Sequence, residues 1–197
     1  MRWELKLNTD AATEPMTTAE AKTHLRETLT DATNDAYIDT LVKAARMQVE
    51  HMTHRSLITQ TWELHLTDWP WQTYIRLPRA PLISVTSVVY KDEDGDNNTV
   101  STDVYAVDAD STPGRIFLKP DQTWPSESLY EGNPVKITYT CGYGAASAVP
   151  QALKHAVKLL VGDLYENRET IVIGQSIAVS RAVEALISPY KVRSEYP

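Results

Sequence analysis

The sequence has a single cysteine, Cys141, in 197 residues, so no internal disulfide can form. That removes the small disulfide-stapled folds and fits a reducing compartment. Long apolar runs are missing too. No stretch approaches the ~18 consecutive apolar residues of a membrane-spanning helix. The opening residues, Met1-Arg2-Trp3-Glu4-Leu5-Lys6, mix charges and lack the apolar run of a secretory signal. A soluble protein is expected. A basic stripe is also absent. Lys and Arg number 19 against 26 Asp and Glu, a net charge of −7, and the cations are scattered singly. Proteins that grip nucleic acid neutralise phosphates with clustered cations. Tight DNA or RNA binding is therefore not expected, and an acidic surface would repel a duplex.

Motifs for chemistry are equally scarce. There is no phosphate loop, no H-E-x-x-H and no G-x-S-x-G elbow. Asp92, Asp94 and Asp96 suggest calcium, but counting from Asp92 puts Gly95 fourth and Asp103 twelfth. An EF-hand loop needs Gly sixth and Glu twelfth. The segment reads as a solvated hairpin tip. His51 and His54 share a helix end without the third and fourth ligands of a zinc site. Cys141 ends an alternating strand, Val135, Ile137 and Tyr139, and reads as a small buried residue rather than a nucleophile beside His155. Gly142-Tyr143-Gly144 reads as a turn from strand to helix. Asp163 and Glu166 lie off an apolar stripe and face solvent or a partner. No catalytic, metal or cofactor residue is assigned.

What is present is a clear change of period. Residues 1–16 are polar and read as irregular. Thr17-Thr18-Ala19-Glu20 forms a capping box, which predicts a short helix ending near Thr28. Ile38, Leu41, Val42, Ala45, Val49 and Met52 recur at helical spacing and predict a helix from Asp35 to His54. Asp35, Asp39, Lys43, Arg46 and Glu50 occupy its other side. From Ile58 the period becomes two: Ile58, Trp62, Leu64 and Leu66 alternate with polar residues. About six strands are predicted over 58–145, separated by prolines. Pro150 then opens a helix carrying Leu153, Ala156, Val157, Leu160 and Leu164. A last helix is expected over Ser180–Ile187, and residues 171–179 are ambiguous.

The order helix, helix, β block, helix, helix predicts an α+β protein. It is expected to be a discontinuous helical domain of about four helices, residues 1–57 with 146–197, carrying an inserted, mostly antiparallel β domain over 58–145. The tryptophans gather in or beside the β block. Trp62 reads as core, whereas Trp69, Trp71 and Trp124 are candidate interface anchors. Tyr37, Ala44, Met47 and His51 form a second, weaker stripe on the long helix, so Tyr37 and Met47 are candidates for contact with a neighbouring subunit. Ordinary scattered apolar surface is the bland reading of that stripe.

Several stretches also resemble a known family in order and spacing. They are Pro15-Met16-Thr17-Thr18-Ala19-Glu20-Ala21-Lys22, Ala44-Ala45-Arg46-Met47-Gln48-Val49-Glu50, Leu57-Ile58-Thr59-Gln60-Thr61-Trp62, Leu77-Pro78-Arg79-Ala80-Pro81-Leu82 and Val88-Val89-Tyr90-Lys91-Asp92. Thr138-Tyr139-Thr140-Cys141-Gly142-Tyr143-Gly144, Val149-Pro150 and Leu164-Tyr165-Glu166-Asn167-Arg168-Glu169 complete the set. From about Pro15 to Tyr190 the chain resembles the head–tail connector (adaptor) proteins of tailed phages and gene transfer agents, whose β-inserted members carry a DNA-packaging label. It departs from the pattern at Cys141, where a small residue such as Ala is expected.

The resemblance implies a homo-oligomeric ring, usually of twelve subunits, at the head–tail junction of a virion assembled in the host cytoplasm. The ring would dock under the portal protein, extend the DNA channel and offer a platform to a stopper or tail-terminator protein. DNA would pass without specific binding, no membrane is involved, and no catalysis is required. Acidic walls suit that role, because a channel that transmits DNA should not hold it. The tail after Pro189, with Tyr190, Arg193 and Tyr196, and the aromatic β loops are candidates for portal and stopper contacts. The alternative is another virion protein, for example a carbohydrate-binding module using the Trp-rich β block. A small hydrolase ranks last.

Overall fold

The first helix starts where the capping box places it. In a computed structural model describing residues 2–167 and 181–192, Thr17 Oγ1 accepts from the Glu20 amide at 3.2 Å. The Glu20 carboxylate in turn accepts from the Thr17 amide at 2.8 Å. Helix α1 spans Thr18–Leu25 and ends when Arg26 turns left-handed, at φ 60°. Helix α2 spans Asp35–Thr53, with Ile38, Leu41, Val42, Ala45 and Val49 buried as the periodicity requires. Helix α3 spans Gln151–Glu166 behind Pro150, and α4 spans Arg181–Ile187. Val161, rather than Leu164, completes the buried stripe of α3.

Two polar groups expected on the outer side of α2 are instead buried. Arg46 is 1% exposed and Glu50 is 4% exposed. They pair one turn apart at 2.9 Å, and Arg46 Nε also donates to Glu14 at 2.7 Å. Lys22 of α1 is buried as well. Its ammonium donates to the Leu29 and Asp31 carbonyls and to Asp35 Oδ1, which pins the α1–α2 connection.

The strands are β1 (Trp3–Thr9), β2 (Gln60–Leu66), β3 (Tyr74–Arg76), β4 (Leu82–Lys91), β5 (Asn97–Thr99), β6 (Tyr105–Asp108), β7 (Arg115–Leu118) and β8 (Val135–Cys141). They form two sheets, a five-stranded one in the order β1-β2-β8-β4-β5 and a three-stranded one in the order β3-β7-β6, with every pairing antiparallel. Buried residues alternate along β2 and β8, as their period of two demands. The core of this part includes Leu64, Leu66, Ile75, Ile116, Ile137 and Tyr139.

The protein is thus α+β, with four α-helices and eight strands among the described residues. Two strands exceed expectation. Residues 3–9 are not irregular: Trp3, Leu5 and Leu7 alternate and pair opposite Leu66, Leu64 and Trp62. Strand β5 follows the polar reversal that begins at Asp92 and pairs back on β4. The chain divides into two compact units. One takes in the residues up to Ala11, His54–Tyr143 and Val192. The other takes in Ala12–Thr53 and, where described, Gly144–Lys191.

Four surface carboxylates hold turns and caps in their ionised form. Backbone donation from Thr17 lowers the pKa of Glu20, and the Thr33 hydroxyl and amide lower that of Asp31. The Asp96 amide leads for Asp92, and the Ser111 hydroxyl leads for Asp108. A depressed folded pKa stabilises the fold above the ordinary carboxylate range. That contribution is lost as pH falls through the depressed values. The thermal midpoint should therefore be level from neutral pH to about 5 and decline below about 4. A midpoint unchanged down to pH ~3 by calorimetry would refute this linkage.

Candidate functional site

Aromatic residues of the β-rich unit build the most developed surface feature. Trp69 stacks on Trp124 with ring centroids 5.1 Å apart and planes 3° apart, and its edge meets Tyr90 at 5.9 Å. Tyr90 is itself fixed by donating to Glu127 Oε2 at 2.6 Å. That hydrogen bond, with burial, pushes the phenol up to about 12. Trp124 Nε1 donates to the Gln72 carbonyl at 3.1 Å, and the Leu118 amide donates to the Thr73 carbonyl at 2.8 Å. At the other end Asp68 Oδ1 accepts from the Trp69 amide at 2.7 Å. The loop from Asp68 to Thr73 is therefore held near its start by the stacking of Trp69 on Trp124 and at its end by the Thr73 carbonyl.

At its tip stands Trp71, 93% exposed. A bare tryptophan on a pinned loop gives up little conformational freedom when a partner covers it. The three candidate tryptophans thus divide. Trp71 is presented, Trp69 is half-buried against Trp124 and Tyr90, and Trp124 is core at 8% exposure. Trp62 is also core. Its indole donates to Gln60 Oε1 at 2.9 Å, and the Arg79 guanidinium lies 4.7 Å from its ring centroid.

In the helical unit, Tyr37 and Met47 are exposed on α2, together with Ala44 and His51. The Tyr37 ring lies 6.3 Å from that of Tyr165, tilted by 45°. Tyr190 is half-buried in a short 3-10 turn, Ser188–Tyr190. Arg193 and Tyr196 lie outside the described residues. Trp3 and Leu7 stand outside the residues that the sequence singles out. They are 39% and 38% exposed on β1, the edge strand of its sheet. Their alternation with Leu5 was the available signal.

A cleft of about 310 Å³ is lined by His65, Lys91, Tyr130, Glu131, Asn133 and Lys136, among others. Its charges are mixed, because Glu63 sits 3.2 Å from His65 and 3.9 Å from Lys136. Among the described residues no three His, Cys, Asp or Glu side chains gather to hold a metal ion. No helix among them is long and apolar enough to cross a membrane. Cys141 is fully buried and donates to Ser56 Oγ at 3.3 Å.

The arrangement is that of an α+β scaffold with one tryptophan, Trp71, bare on the loop between β2 and β3. The model of the head completion protein family matches residues 16–194, and the chain belongs to that family. Solved structures agree. A chain in the neck of an empty gene transfer agent particle, obtained with C6 symmetry, is 29% identical, with a TM-score of 0.81 over 96% of this chain and 95% of that one. A chain in the virion of a native gene transfer agent particle is 27% identical, with a TM-score of 0.78 over 95% of each. A third, from the neck of the native particle with C12 symmetry, is 29% identical, with a TM-score of 0.72 over 95% of each. No curated protein sequence matches the chain.

Proposed function

We propose that this protein is a non-catalytic structural subunit of a head–tail connector ring. It docks under the portal, extends the DNA channel and carries the stopper or tail components. The observation that supports this reading most is the family match over residues 16–194, joined to near-complete overlap with a gene transfer agent neck chain. The net charge of −7 fits a channel that lets DNA pass. The ring is homo-oligomeric, of twelve copies, and forms at the virion neck after assembly in the host cytoplasm. The helical unit serves as the ring body and the β-rich unit as an insertion facing partners.

The test is to mix the full chain with the portal protein of the same virion and to image the product by negative stain. A ring capping the portal is expected. A chain that never joins the portal ends the proposal. Within this reading Tyr37 and Met47 contact neighbouring copies, and Trp71 anchors a partner. Tyr190, Arg193 and Tyr196 belong to the portal contact, so deleting residues 190–197 should weaken docking.

Trp71 offers the sharper measurement. Trp71→Ala should leave stability within about 0.5 kcal/mol, because the ring touches almost nothing. It should weaken partner binding by about 2 kcal/mol or more, as buried tryptophan anchors do. Calorimetric titration that shows unchanged affinity for both portal and stopper would remove Trp71 from the interface.

A further inference from the structure

The outer face of the three-stranded sheet sets two arginines side by side on an acidic protein. Register places Tyr74 opposite Phe117 and Arg76 opposite Arg115. These four side chains share one face, since Ile75 and Ile116 between them point into the core. Directly opposed like charges destabilise a ladder. Here the two guanidinium groups lie 5.5 and 5.9 Å from the Tyr74 ring, and Asp108 on the next strand pairs with Arg115 at 2.9 Å. Phe117 is 37% exposed beside them. Arginine with exposed aromatic rings is the composition of protein-binding hot spots.

The same unit offers a segment of opposite sign. Between β4 and β5 the chain reverses through Asp92-Glu93-Asp94-Gly95-Asp96. Asp92 turns inward. Its carboxylate accepts from the Asp96 amide at 2.9 Å and from Asn98 Nδ2 at 2.6 Å, and Gly95 adopts φ 91°. That leaves Glu93, Asp94 and Asp96 exposed on a tip that is already ordered.

We propose that the acidic tip of one copy docks on the Arg76–Arg115–Tyr74–Phe117 face of the next. The inference rests on the ring reading above. A closed ring of identical copies needs two different, complementary patches on each one, because a self-matching patch closes a dimer. Copies of net charge −7 repel one another over most of their surface, so contact forms where cations and aromatics gather. One acidic tip and one basic face per copy provide a head-to-tail contact. DNA is the competing occupant of the basic face, and runs of wild type mixed with a short DNA duplex score it.

The test uses two full-length variants and sedimentation velocity at low and high salt. In R76E/R115E the face becomes acidic, and in E93K/D94K/D96K the tip becomes basic. Wild type should self-associate in a salt-sensitive manner. Each variant alone should associate at least ~10-fold more weakly, the scale of lost interfacial charge pairs. Mixed in equal amounts they should recover association, since each supplies the sign the other has lost. R115E also breaks the Asp108 pair, so R76E with Phe117→Ser, which keeps that pair, serves as a second face variant. Recovery on mixing also shows that the variants are folded.

Wild type that stays monomeric at every concentration overturns the contact. So do variants that associate like wild type, folded variants that fail to recover on mixing, or a face that binds duplex DNA and no second copy. Portal docking by wild type is scored separately. Docking that ignores the reversals overturns this contact and leaves the connector reading standing, whereas wild type that never docks overturns the connector reading itself.

Discussion

Replacing Arg46 with leucine should destabilise the helical unit by about 3–5 kcal/mol, the cost of leaving buried charge without its partner. Arg46 is 1% exposed, and its guanidinium holds Glu50 and Glu14 at 2.9 and 2.7 Å. The Glu50 side chain is only 6% exposed and has little access to water, whereas that of Glu14, at 25%, can partly rehydrate. The double variant R46M/E50L should lose much less, because apolar groups of similar volume replace both ends of a buried pair with little penalty. Denaturant unfolding of the full chain, followed by helical circular dichroism, reads both variants. An R46L variant within about 1 kcal/mol of wild type would show that the pair does not hold this unit together.

The second large effect lies at the end of β8. Gly142 adopts φ 119°, and a Cβ built there would sit 2.3 Å from the Ile58 carbonyl oxygen and 2.6 Å from its carbon. Both are backbone atoms, so no rotamer change relieves the overlap. The Gly142 amide also donates to the Pro81 carbonyl at 2.9 Å, which opposes a shift of the strand. Gly142→Ala should cost about 3 kcal/mol or more, left-handed strain and collision together. Gly144 is the internal control. It has φ 101° with nothing within 4 Å of its added Cβ, so Gly144→Ala should cost only about 1 kcal/mol. Equal, small losses in urea unfolding would mean that the β8 exit is looser than its geometry implies.

Much of this protein was legible in one dimension. Helical spacing from Ile38 to Val49, the capping box at Thr17 and the alternation from Trp62 to Leu66 are local patterns. Hydrogen bonds three or four residues apart, or a pleat of two, depend on near neighbours alone. The α+β class and most element positions therefore followed from sequence. Strand β1 escaped because its short alternation, Trp3-Glu4-Leu5-Lys6-Leu7, sits at an edge and leaves Trp3 and Leu7 well exposed. Alternation that half fails to bury reads as irregular chain.

The candidate contact residues show the limit more plainly. Trp69, Trp71 and Trp124 are alike as letters. Only the tertiary packing leaves Trp71 bare, half-buries Trp69 against Trp124 and Tyr90, and makes Trp124 core. Arg46 and Glu50 read as a solvated side of α2, yet they are buried, because Glu14 arrives from 32 residues away to complete the pair. Arg76 and Arg115 lie 39 positions apart and become opposed only through the β3–β7 register. By itself the sequence determined which segments are helices and strands, the acidic balance and the lack of known catalytic motifs, since these depend on composition and short-range periodicity. Tertiary structure alone decided which charges are buried, which tryptophan is presented and which residues share a face, because those depend on neighbours distant along the chain.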